Sequence, residues 1–297
     1  MEIPSFLKEK LITQYGEEIT QKIIKGYMAK RKTTLRVNTL KTSLHNVIDV
    51  LNKNNIKFER VNWYNDALII ENANESDIQN LDIYKNGEIY LQSLSSMLPP
   101  LILNPQEKTD ILDMAAAPGG KTTQIATIVN NNASITACEL NKIRAERLKY
   151  NIEKQGAKAY VMVTDARKID SFFSFDNILL DAPCSGSGTL NLNTGISEKN
   201  FSLNLISKSV KAQTALLEKA LKILKPGCEM VYSTCSILQE ENEKILEKVL
   251  SKNKAKIIPI DFESKDLPLL PTRIMGTLCV APNELYEGFF IAKIKKN

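Results

Sequence analysis

Short apolar runs alternate with helix-length segments from residue 110 onward, and this alternation is the feature that most constrains the fold. The runs, which we predict as strands, are Asp110–Met114, Ser134–Glu139, Tyr160–Val163, Asn177–Asp181 and Glu229–Ser233. Helical patterns occupy residues 121–129, 141–155, 205–224 and 239–250, and a last strand is predicted over Gly288–Ile294. Strands that alternate with helices favour a doubly wound, mostly parallel sheet of the α/β class.

Residues 1–91 show a different pattern, which predicts a small α+β domain. One or two amphipathic helices are expected between Phe6 and Tyr27, and a further helix begins at Ser43. The predicted strands are Leu35–Asn38, Ile56–Val61 and Ala67–Ile70. Because the pattern changes around Tyr90–Pro100, we place the domain boundary at residue 91, which leaves residues 92–297 as the main domain.

Composition excludes several classes of protein. The 297 residues are 43% hydrophobic and 25% charged, as in a globular protein with a sizeable core. No apolar run approaches the roughly 18 residues of a membrane span. The first residues lack a secretory signal, so we expect a cytoplasmic protein without a membrane partner. The five cysteines form no CxxC pair, which predicts neither disulfides nor a metal site. The only histidine, His45, is predicted on the surface of a helix, which excludes Ser-His-Asp hydrolysis.

Basic residues are concentrated near the N-terminus. The net charge is +5, and residues 1–41 hold nine Lys or Arg against four Glu, a surplus of five that equals that of the whole chain. Lys30, Arg31, Lys32 and Arg36 are candidates for contacts with nucleic-acid phosphates. The alternative, the solvated end of a helix, stays open at this point.

A turn of small residues follows the first strand of the main domain. It consists of Ala115, Ala116, Ala117, Pro118, Gly119, Gly120 and Lys121, and a helix follows. Small residues let a ligand approach the backbone, and the start of a helix offers free N–H groups. Position 115 holds Ala where a P-loop has its first Gly, and two adjacent glycines do not match the dinucleotide pattern G-x-G-x-x-G. The third candidate is S-adenosylmethionine, which carries no phosphate and needs less of an anion-binding site.

Two acidic residues at neighbouring strand ends strengthen this interpretation. Glu139 ends the second strand about 20 residues after the glycines, where an acidic side chain commonly binds ribose hydroxyls. Asp165 follows the third strand and is predicted to accept a hydrogen bond from an adenine amino group. The alternative for Glu139 alone is an ordinary charge at the start of a helix that Asn141 caps.

Thiols follow two further strands. The run Asp181-Ala182-Pro183-Cys184 lacks the second proline and the aromatic residue that methyltransferases acting on exocyclic amines place there, so attack on a ring carbon is favoured. Carbon 5 of cytosine becomes nucleophilic when a thiolate adds to carbon 6, and a base must later remove the carbon-5 proton. Cys235 suits the nucleophile, because Ser236 and Gln239 form a predicted capping box. That box would place Cys235 before a helix whose positive end favours the thiolate.

Three motifs occur in order along the main domain. They are Asp-Met-Ala-Ala-Ala-Pro-Gly-Gly-Lys-Thr at residues 113–122, Asp-Ala-Pro-Cys-Ser-Gly at 181–186, and Ser-Thr-Cys-Ser with Glu-Glu-Asn-Glu within 233–243. Together they resemble the Sun/Nop (RsmB/NOP-type) family of S-adenosylmethionine-dependent RNA cytosine-5 methyltransferases. Residues 35–38, 92–97 and 288–290 are similar to segments of that family too.

The resemblance implies a Rossmann-like class I methyltransferase domain with an antiparallel last strand, preceded by an RNA-binding domain. It implies that Cys235 is the nucleophile and that Cys184 assists product release. It also implies that Asp181 contacts the target base and that Lys121 lies at the junction of cofactor and thiol. The implied cofactor contacts are Ala115, Ala116, Ala117, Pro118, Gly119, Gly120, Lys121, Glu139, Arg144, Asp165 and Asp181. The expected partner is RNA, with rRNA favoured over tRNA, bound by a monomer without a metal ion.

The sequence departs from the family pattern at one segment, and three alternative functions stay open. Residues 190–196 lack the Arg-His-Pro-Asp run that many relatives carry, which leaves the substrate-side loop undefined. A DNA cytosine-5 methyltransferase would use Cys184 as its nucleophile. A nucleotide hydrolase would use Gly120-Lys121-Thr122, although the first glycine of its motif is missing. A catalytically silent RNA-binding assembly factor would need neither thiol.

Overall fold

The computed structural model describes residues 3–194, 201–262 and 266–297, in which the chain forms two compact units, residues 32–179 and residues 1–31 with 180–297. The first elements are α1 (Ser5–Met28), β1 (Thr33–Val37), α2 (Leu44–Lys53), β2 (Phe58–Val61), β3 (Tyr64–Ile70), α3 (Glu75–Asn80), α4 (Asp82–Lys85), β4 (Ile89–Leu91), α5 (Leu94–Leu103) and β5 (Asp110–Asp113). They are followed by α6 (Gly120–Ile128), β6 (Ser134–Glu139), α7 (Lys142–Gln155), β7 (Tyr160–Val163), β8 (Phe175–Asp181), α8 (Leu203–Ile223), β9 (Leu224–Thr234), α9 (Glu243–Leu250), β10 (Ala255–Ile258), β11 (Leu269–Leu270), β12 (Leu278–Val280) and β13 (Phe289–Lys296). Among these helices, none is long and apolar enough to cross a membrane.

A small antiparallel sheet, in the strand order β2-β3-β1-β4, opens the unit formed by residues 32–179. On β1, Leu35 and Val37 belong to a buried cluster that includes Val47 and Leu51 of α2. Ser43 caps α2, because its side-chain oxygen accepts a backbone N–H of the first turn. The three predicted strands correspond to β1, β2 and β3, with ends that differ by up to three residues, whereas β4 was not predicted. The predicted start of α2 is confirmed.

Three helices of this unit were not predicted. The helices α3 and α4 have six and four residues, too few for a helical period to show in the sequence. The third, α5, lies where the sequence pattern changes, and it contains Pro99 and Pro100. Pro100 has no N–H to donate to the carbonyl of Ser96, four residues earlier. Gln92 Nε2 donates to that carbonyl at 3.1 Å, which compensates for the missing bond.

The remainder of this unit contains parallel strands in the order β8-β5-β6-β7. β6 and β7 have the predicted bounds, and α6 and α7 follow β5 and β6 as expected. The carboxyl ends of parallel strands meet at one edge of a sheet. Here Ala116 N donates to the Cys138 carbonyl at 2.9 Å, and Thr164 N donates to the Glu139 carbonyl at 3.1 Å. The turn after β5, Glu139 and the start of the β7 loop are thus neighbours.

The unit formed by residues 1–31 and 180–297 contains antiparallel strands. Their order is β11-β12-β13-β9, and β10 pairs with the other edge of β13. Phe290 of β13 lies opposite Thr234 of β9, which confirms the antiparallel last strand. In α1 the backbone at Gly16 is non-helical (φ 78°, ψ 169°), so two helices meet there across a kink. α9 begins at Glu243 rather than at Gln239, so the predicted start of that helix was wrong.

Candidate active site

Cys184 and Cys235 lie side by side, each shortly after the end of its strand, β8 or β9. The backbone N–H of Ala182 donates to the carbonyl of Ser233 at 2.8 Å, which holds the two strand ends together. The two sulfur atoms are 3.1 Å apart, and both side chains are partly buried. The structure thus brings the two predicted thiols into direct contact.

The environment of Cys184 favours its protonated form. The hydrogen bond with Cys235, burial of the side chain and the negative charge of Glu241 together raise the pKa of Cys184 well above its ordinary value. Cys184 is therefore a thiol at neutral pH. It can donate its proton in the hydrogen bond to the sulfur of Cys235.

Asp181 lies at the end of β8 in the same unit as the two thiols. Its carboxylate oxygen Oδ1 accepts a hydrogen bond from Ser233 Oγ at 2.9 Å. Ser233 is two residues before Cys235. The bond is therefore a second link between β8, which leads to Cys184, and β9, which leads to Cys235. Asp181 is partly buried.

Glu241 is a residue that the prediction of site residues missed. Its carboxylate is fully buried and accepts hydrogen bonds from Ser185 N at 2.7 Å, Ser185 Oγ at 2.6 Å and Ser236 Oγ at 2.6 Å. Ser185 and Ser236 directly follow Cys184 and Cys235. The only signal in the sequence was the Glu-Glu-Asn-Glu run, and the run does not tell which glutamate turns inward.

The capping box predicted for Cys235 is wrong. α9 begins at Glu243, seven residues beyond Ser236, and its N-cap is Asn242. Ser236 Oγ binds Glu241, and the N–H of Gln239 donates to the side chain of Gln14 at 3.0 Å. The segment after Cys235 is held by side-chain hydrogen bonds, so it is not a helix terminus and supplies no helix dipole to the thiol.

The predicted cofactor turn is a rigid strand–turn–helix unit in residues 32–179. Thr122 Oγ1 donates to Asp113 Oδ2 at 2.7 Å, which ties the start of α6 to the end of β5. Gly119, with φ of 113°, is the N-cap of α6 and has a backbone conformation that side chains rarely adopt. A Cβ atom on Gly120 would lie 3.1 Å from the ring of Tyr90. The backbone at Gly119 therefore favours glycine, and a side chain at position 120 would require the Tyr90 ring to shift by a few tenths of an ångström.

Glu139 and Arg144 lie against this turn. Glu139 is 5% exposed, and its Oε1 accepts a hydrogen bond from Asn141 N at 2.8 Å. Arg144 Nη1 is 3.4 Å from Glu139 Oε2, and Arg144 Nη2 donates to the Ala117 carbonyl at 2.9 Å. One guanidinium group thus links the predicted ribose-binding acid to the turn.

Asp165 follows β7, beside the end of β6. Both of its carboxylate oxygens accept hydrogen bonds from the guanidinium of Arg167, at 2.7 to 3.1 Å. These bonds lower the pKa of Asp165, which is therefore charged at neutral pH. The carboxylate is oriented by its own loop.

Two exposed apolar residues at the start of α7 were also missed. Leu140 is 62% exposed and Ile143 is 72% exposed, which is unusual for large aliphatic side chains. Leu140 directly follows Glu139, so apolar surface adjoins the buried acid. An acceptor beside an apolar surface suits a ribose attached to a flat base. The signal was present in the sequence as an aliphatic residue immediately before the N-cap Asn141.

Lys121 lies in the first turn of α6, in the unit of residues 32–179. Its Nζ atom donates to Ser96 Oγ at 2.7 Å. Ser96 is on α5, the helix that follows the small antiparallel sheet. The lysine is therefore held by a neighbouring helix and is not a freely moving surface chain.

Arg36 is not a phosphate-binding residue, contrary to the sequence-based expectation. It is fully buried, because β1 is a central strand with both faces covered. Arg36 Nη2 donates to Thr123 Oγ1 at 3.0 Å, and Nη1 donates to Thr127 Oγ1 at 3.3 Å. The guanidinium carbon also lies 5.8 Å from the centre of the Tyr90 ring. Arg36 thus supports α6, the helix that begins at the cofactor turn.

The other members of the basic stretch differ in exposure. Lys30 is exposed, whereas Arg31 and Lys32 are partly buried. Arg31 Nη1 lies 3.5 Å from Glu287 Oε1, and Lys32 Nζ lies 2.9 Å from Glu71 Oε1. Lys30 therefore keeps its charge available to solvent, while acidic partners offset the charges of the other two.

Two further cysteines are buried and the histidine is exposed. Cys138 and Cys279 are buried, and burial is the main cause that raises the pKa of each to about 12. His45 is 83% exposed and lies 3.5 Å from Asp49 on the same helix, as predicted. Over the described ranges of the chain, no group of three His, Cys, Asp or Glu residues could hold a metal ion.

Comparison with known proteins gives matches over most of the chain. A family model described as 16S rRNA methyltransferase RsmB/F matches residues 100–295, and a model of the RsmF/B-like ferredoxin-like domain matches residues 3–77. The ribosomal RNA small subunit methyltransferase F of Shewanella piezotolerans is 36% identical over 279 residues, which are 89% of this chain and 58% of the relative. The chain thus spans less than two thirds of that relative's length.

Solved structures give the same result at the level of fold. The methyltransferase homolog from Pyrococcus horikoshii superimposes with a TM-score of 0.83 at 31% identity, covering 99% of this chain and 100% of the other. NSun6 from the same organism, solved with SFG, an analogue of S-adenosylmethionine, gives a TM-score of 0.86 at 25% identity over 99% of this chain and 98% of the other. These matches confirm the resemblance and the fold class predicted from the sequence. The chain belongs to the RsmB/F branch of the Sun/Nop methyltransferase family.

Proposed function

We propose that this protein transfers a methyl group from S-adenosylmethionine to carbon 5 of a cytosine in RNA. The observation that carries the proposal is the contact between Cys184 and Cys235, whose sulfur atoms are 3.1 Å apart. A single nucleophile needs no second thiol, whereas a reaction that forms and then breaks a carbon–sulfur bond uses one group to add and another to assist release. The relative from Shewanella piezotolerans is an rRNA methyltransferase, which favours rRNA over tRNA as the substrate.

The different surroundings of the two thiols support their separate roles. The sulfur of Cys235 forms a bond to carbon 6 of cytosine. The π electron pair of the C5–C6 double bond moves toward carbon 5, and the ring becomes an enamine. The raised pKa of Cys184 keeps a proton on the second sulfur while Cys235 attacks. After the methyl group has reached carbon 5, a base takes the C5 proton, the C–H electron pair restores the double bond, and the sulfur of Cys235 leaves with the electrons of the carbon–sulfur bond. Cys184 is in contact with that leaving sulfur and is proposed to assist this step.

We propose that the turn of residues 115–121 holds the cofactor, with Glu139, Arg144, Asp165 and Asp181. When bound, S-adenosylmethionine supplies an electrophilic methyl group. The fit rests on the buried acceptor Glu139 beside exposed Leu140, which matches a ribose joined to a base. Asp165, already oriented by its own loop, is proposed to accept from the adenine amino group. Asp181 is proposed to contact the target cytosine, and Lys121 to lie where the cofactor and that base meet.

The N-terminal domain, residues 1–91, is proposed to contact the RNA backbone, with residues 92–297 as the catalytic domain. We further propose a cytoplasmic monomer. Lys30 is the exposed charge of the basic stretch. Lys30→Glu should weaken RNA binding and reduce the slope of log affinity against log salt by about one unit, as for one lost phosphate contact. The same change at Lys32, which Glu71 already offsets, should have a smaller effect. Equal slopes in both variants and the wild type would remove this stretch from the RNA interface.

Bisulfite sequencing tests the function directly, because a methylated cytosine resists conversion. RNA and DNA are sequenced from cells that lack the gene, from the same cells given the wild-type gene, and from cells given Cys235→Ala. We expect at least one RNA cytosine that resists conversion only with the wild-type gene. Protection of a DNA cytosine instead would support a DNA methyltransferase, and no protected base in either would support a silent binding factor.

A further inference from the structure

One buried carboxylate joins the two segments that carry the thiols. Glu241 accepts two hydrogen bonds from Ser185, the residue after Cys184, and one from Ser236, the residue after Cys235. All three bonds are between 2.6 and 2.7 Å, which is short and typical of charge-assisted hydrogen bonds. The thiol pair and the carboxylate therefore form one bonded set.

The position of the carboxylate is itself fixed. Tyr232 Oη, on a fully buried side chain, donates to the backbone carbonyl of Glu241 at 2.6 Å. Gln213 Nε2 donates to the Pro183 carbonyl at 3.0 Å and to Glu241 Oε1 at 3.4 Å. Tyr232 of β9 thus holds the backbone of Glu241, and Gln213 of α8 holds its carboxylate, which also binds both serines.

We propose that Glu241 is a positioning residue of the thiol pair, which sets the contact between Cys184 and Cys235 and keeps the proton on Cys184. This inference rests on the proposed two-thiol reaction. Its first part follows from the hydrogen bonds, because the two cysteine-bearing segments are more than 50 residues apart in the chain and share this acceptor.

The second part follows from charge. Among the residues that the structure describes, the hydrogen-bond donors to the Glu241 carboxylate are hydroxyl, backbone and amide groups, which carry no positive charge. The titratable groups that act on Cys184 or share its surroundings are Cys235, Glu241, Tyr232 and Asp181. A carboxylate raises the cost of a second negative charge on Cys184. Because Cys184 stays protonated, its S–H can donate to Cys235.

Oxidative crosslinking of the full chain measures the contact without any RNA. Diamide takes up two electrons and two protons from Cys184 and Cys235 as a disulfide forms, and mass spectrometry follows the linked peptide. We expect Glu241→Gln to slow this crosslink at least about tenfold, because the kinetic effect of lost orientation outweighs the larger thiolate fraction of Cys184 in this variant. Glu241→Asp, which keeps the charge, should recover part of the rate. Glu240→Gln is the matched control, since Glu240 binds Lys10 and not the thiol segments.

The pH dependence of alkylation tests whether the charge of Glu241 keeps the proton on Cys184. Iodoacetamide labelling of Cys184 should reach half of its maximal rate at a lower pH in Glu241→Gln than in the wild type. Glu241→Asp and Glu240→Gln should keep the wild-type midpoint. A residue that only stabilised the fold would leave this midpoint in place once folding is verified. An unchanged crosslinking rate and an unchanged midpoint in Glu241→Gln would overturn the proposal.

Smaller changes serve if Glu241→Gln does not fold. Ser185→Ala and Ser236→Ala each remove one hydroxyl donor, and each should slow the crosslink, with the largest effect in the double variant. Wild-type crosslinking in the folded double variant would refute the positioning role. Both readouts are independent of RNA. If the methylation assay fails while these variants still slow the crosslink as expected, only the proposed function is rejected.

Discussion

The proposed cofactor turn, residues 115–121, and the thiol pair are built in different ways. Residues 113–122 form a contiguous strand–turn–helix unit, which the bond of Thr122 with Asp113 closes locally and which Arg144 and Ser96 support from outside. The thiol pair is assembled from two distant segments, and Ser185 and Glu241, which bind each other, are 56 residues apart. A contiguous turn can be recognised from its own sequence, whereas an assembled site depends on which distant segments the fold brings together.

Each region nevertheless relies on one fully buried charged side chain. Arg36 supports α6 through Thr123 and Thr127, and Glu241 supports the segments of the two thiols. Burying a charge is costly unless hydrogen bonds satisfy it. In both regions the charged group binds two hydroxyl groups, which link it to neighbouring residues of the candidate site.

The largest expected effect is on the thiol pair, where the two cysteines should fail in opposite ways. Cys235→Ala should abolish both methylated RNA and any covalent protein–RNA complex, because no carbon–sulfur bond can form. Cys184→Ala should allow addition and methyl transfer but stall release. A covalent complex should then accumulate, seen as a ribonuclease-sensitive shifted band on a denaturing gel.

Buried Cys279→Ala is the matched control in the same unit and should methylate normally. If Cys184→Ala loses the adduct and Cys235→Ala traps it, the enzyme uses the order proposed for DNA methyltransferases. Normal methylation by both variants would show that the contact between the thiols has no catalytic role.

The contrast between the regions explains what could be predicted from the sequence. The strands β6 and β7 and the turn at residues 115–121 follow from local apolar runs and small residues, and these predictions were confirmed. The start of α9 was wrong, because Ser236 binds Glu241 instead of capping a helix. Arg36 was assigned to the surface for a similar reason. Its burial depends on which strands and helices cover β1, and no local pattern reports that.

The second-largest effect should come from Arg36, the buried support of the turn. Arg36→Ala leaves a cavity and removes the donors to Thr123 Oγ1 and Thr127 Oγ1. We expect the free energy of unfolding to fall by about 3 kcal/mol, measured by urea denaturation. Arg60→Ala, at an exposed position of β2, is the matched control and should stay within about 0.5 kcal/mol of the wild type. A loss below about 1 kcal/mol for Arg36→Ala would show that the turn needs no such support.

A somewhat smaller effect is expected at Glu139, where the turn meets the proposed ribose site. Glu139→Ala should weaken S-adenosylmethionine binding by about 1.5–3 kcal/mol, as for a hydrogen bond to a charged group. Calorimetry provides the measurement. Glu146→Ala, at an exposed position of α7, is the control and should bind normally. Unchanged affinity in Glu139→Ala would remove this residue from the site, and tighter binding of ATP than of S-adenosylmethionine would support the nucleotide hydrolase.

The smallest expected effect is the pH dependence of stability that two buried thiols cause. Cys138 lies beside the turn of residues 115–121, and Cys279 lies in the unit of the thiol pair. A cysteine with an ordinary pKa of 9.0 has a pKa of about 12 at each position, chiefly because of burial. Between these values the folded chain binds more protons than the unfolded chain, so stability falls as pH rises from about 9 and the loss ends near 12. Each thiol should therefore lower the free energy of unfolding by about 1.4 kcal/mol between pH 8 and pH 10.

Urea denaturation at pH 8 and pH 10 isolates these contributions. Cys138→Ala and Cys279→Ala should each lose about 1.4 kcal/mol less than the wild type over this interval, because the substituted chain has no thiol to ionise there. The equal values expected for the two variants would mean that the local turn and the assembled thiol region exclude water equally well. A smaller value for Cys279→Ala would instead mean that the assembled region admits solvent, and that it needs its long-range hydrogen bonds because its packing is looser.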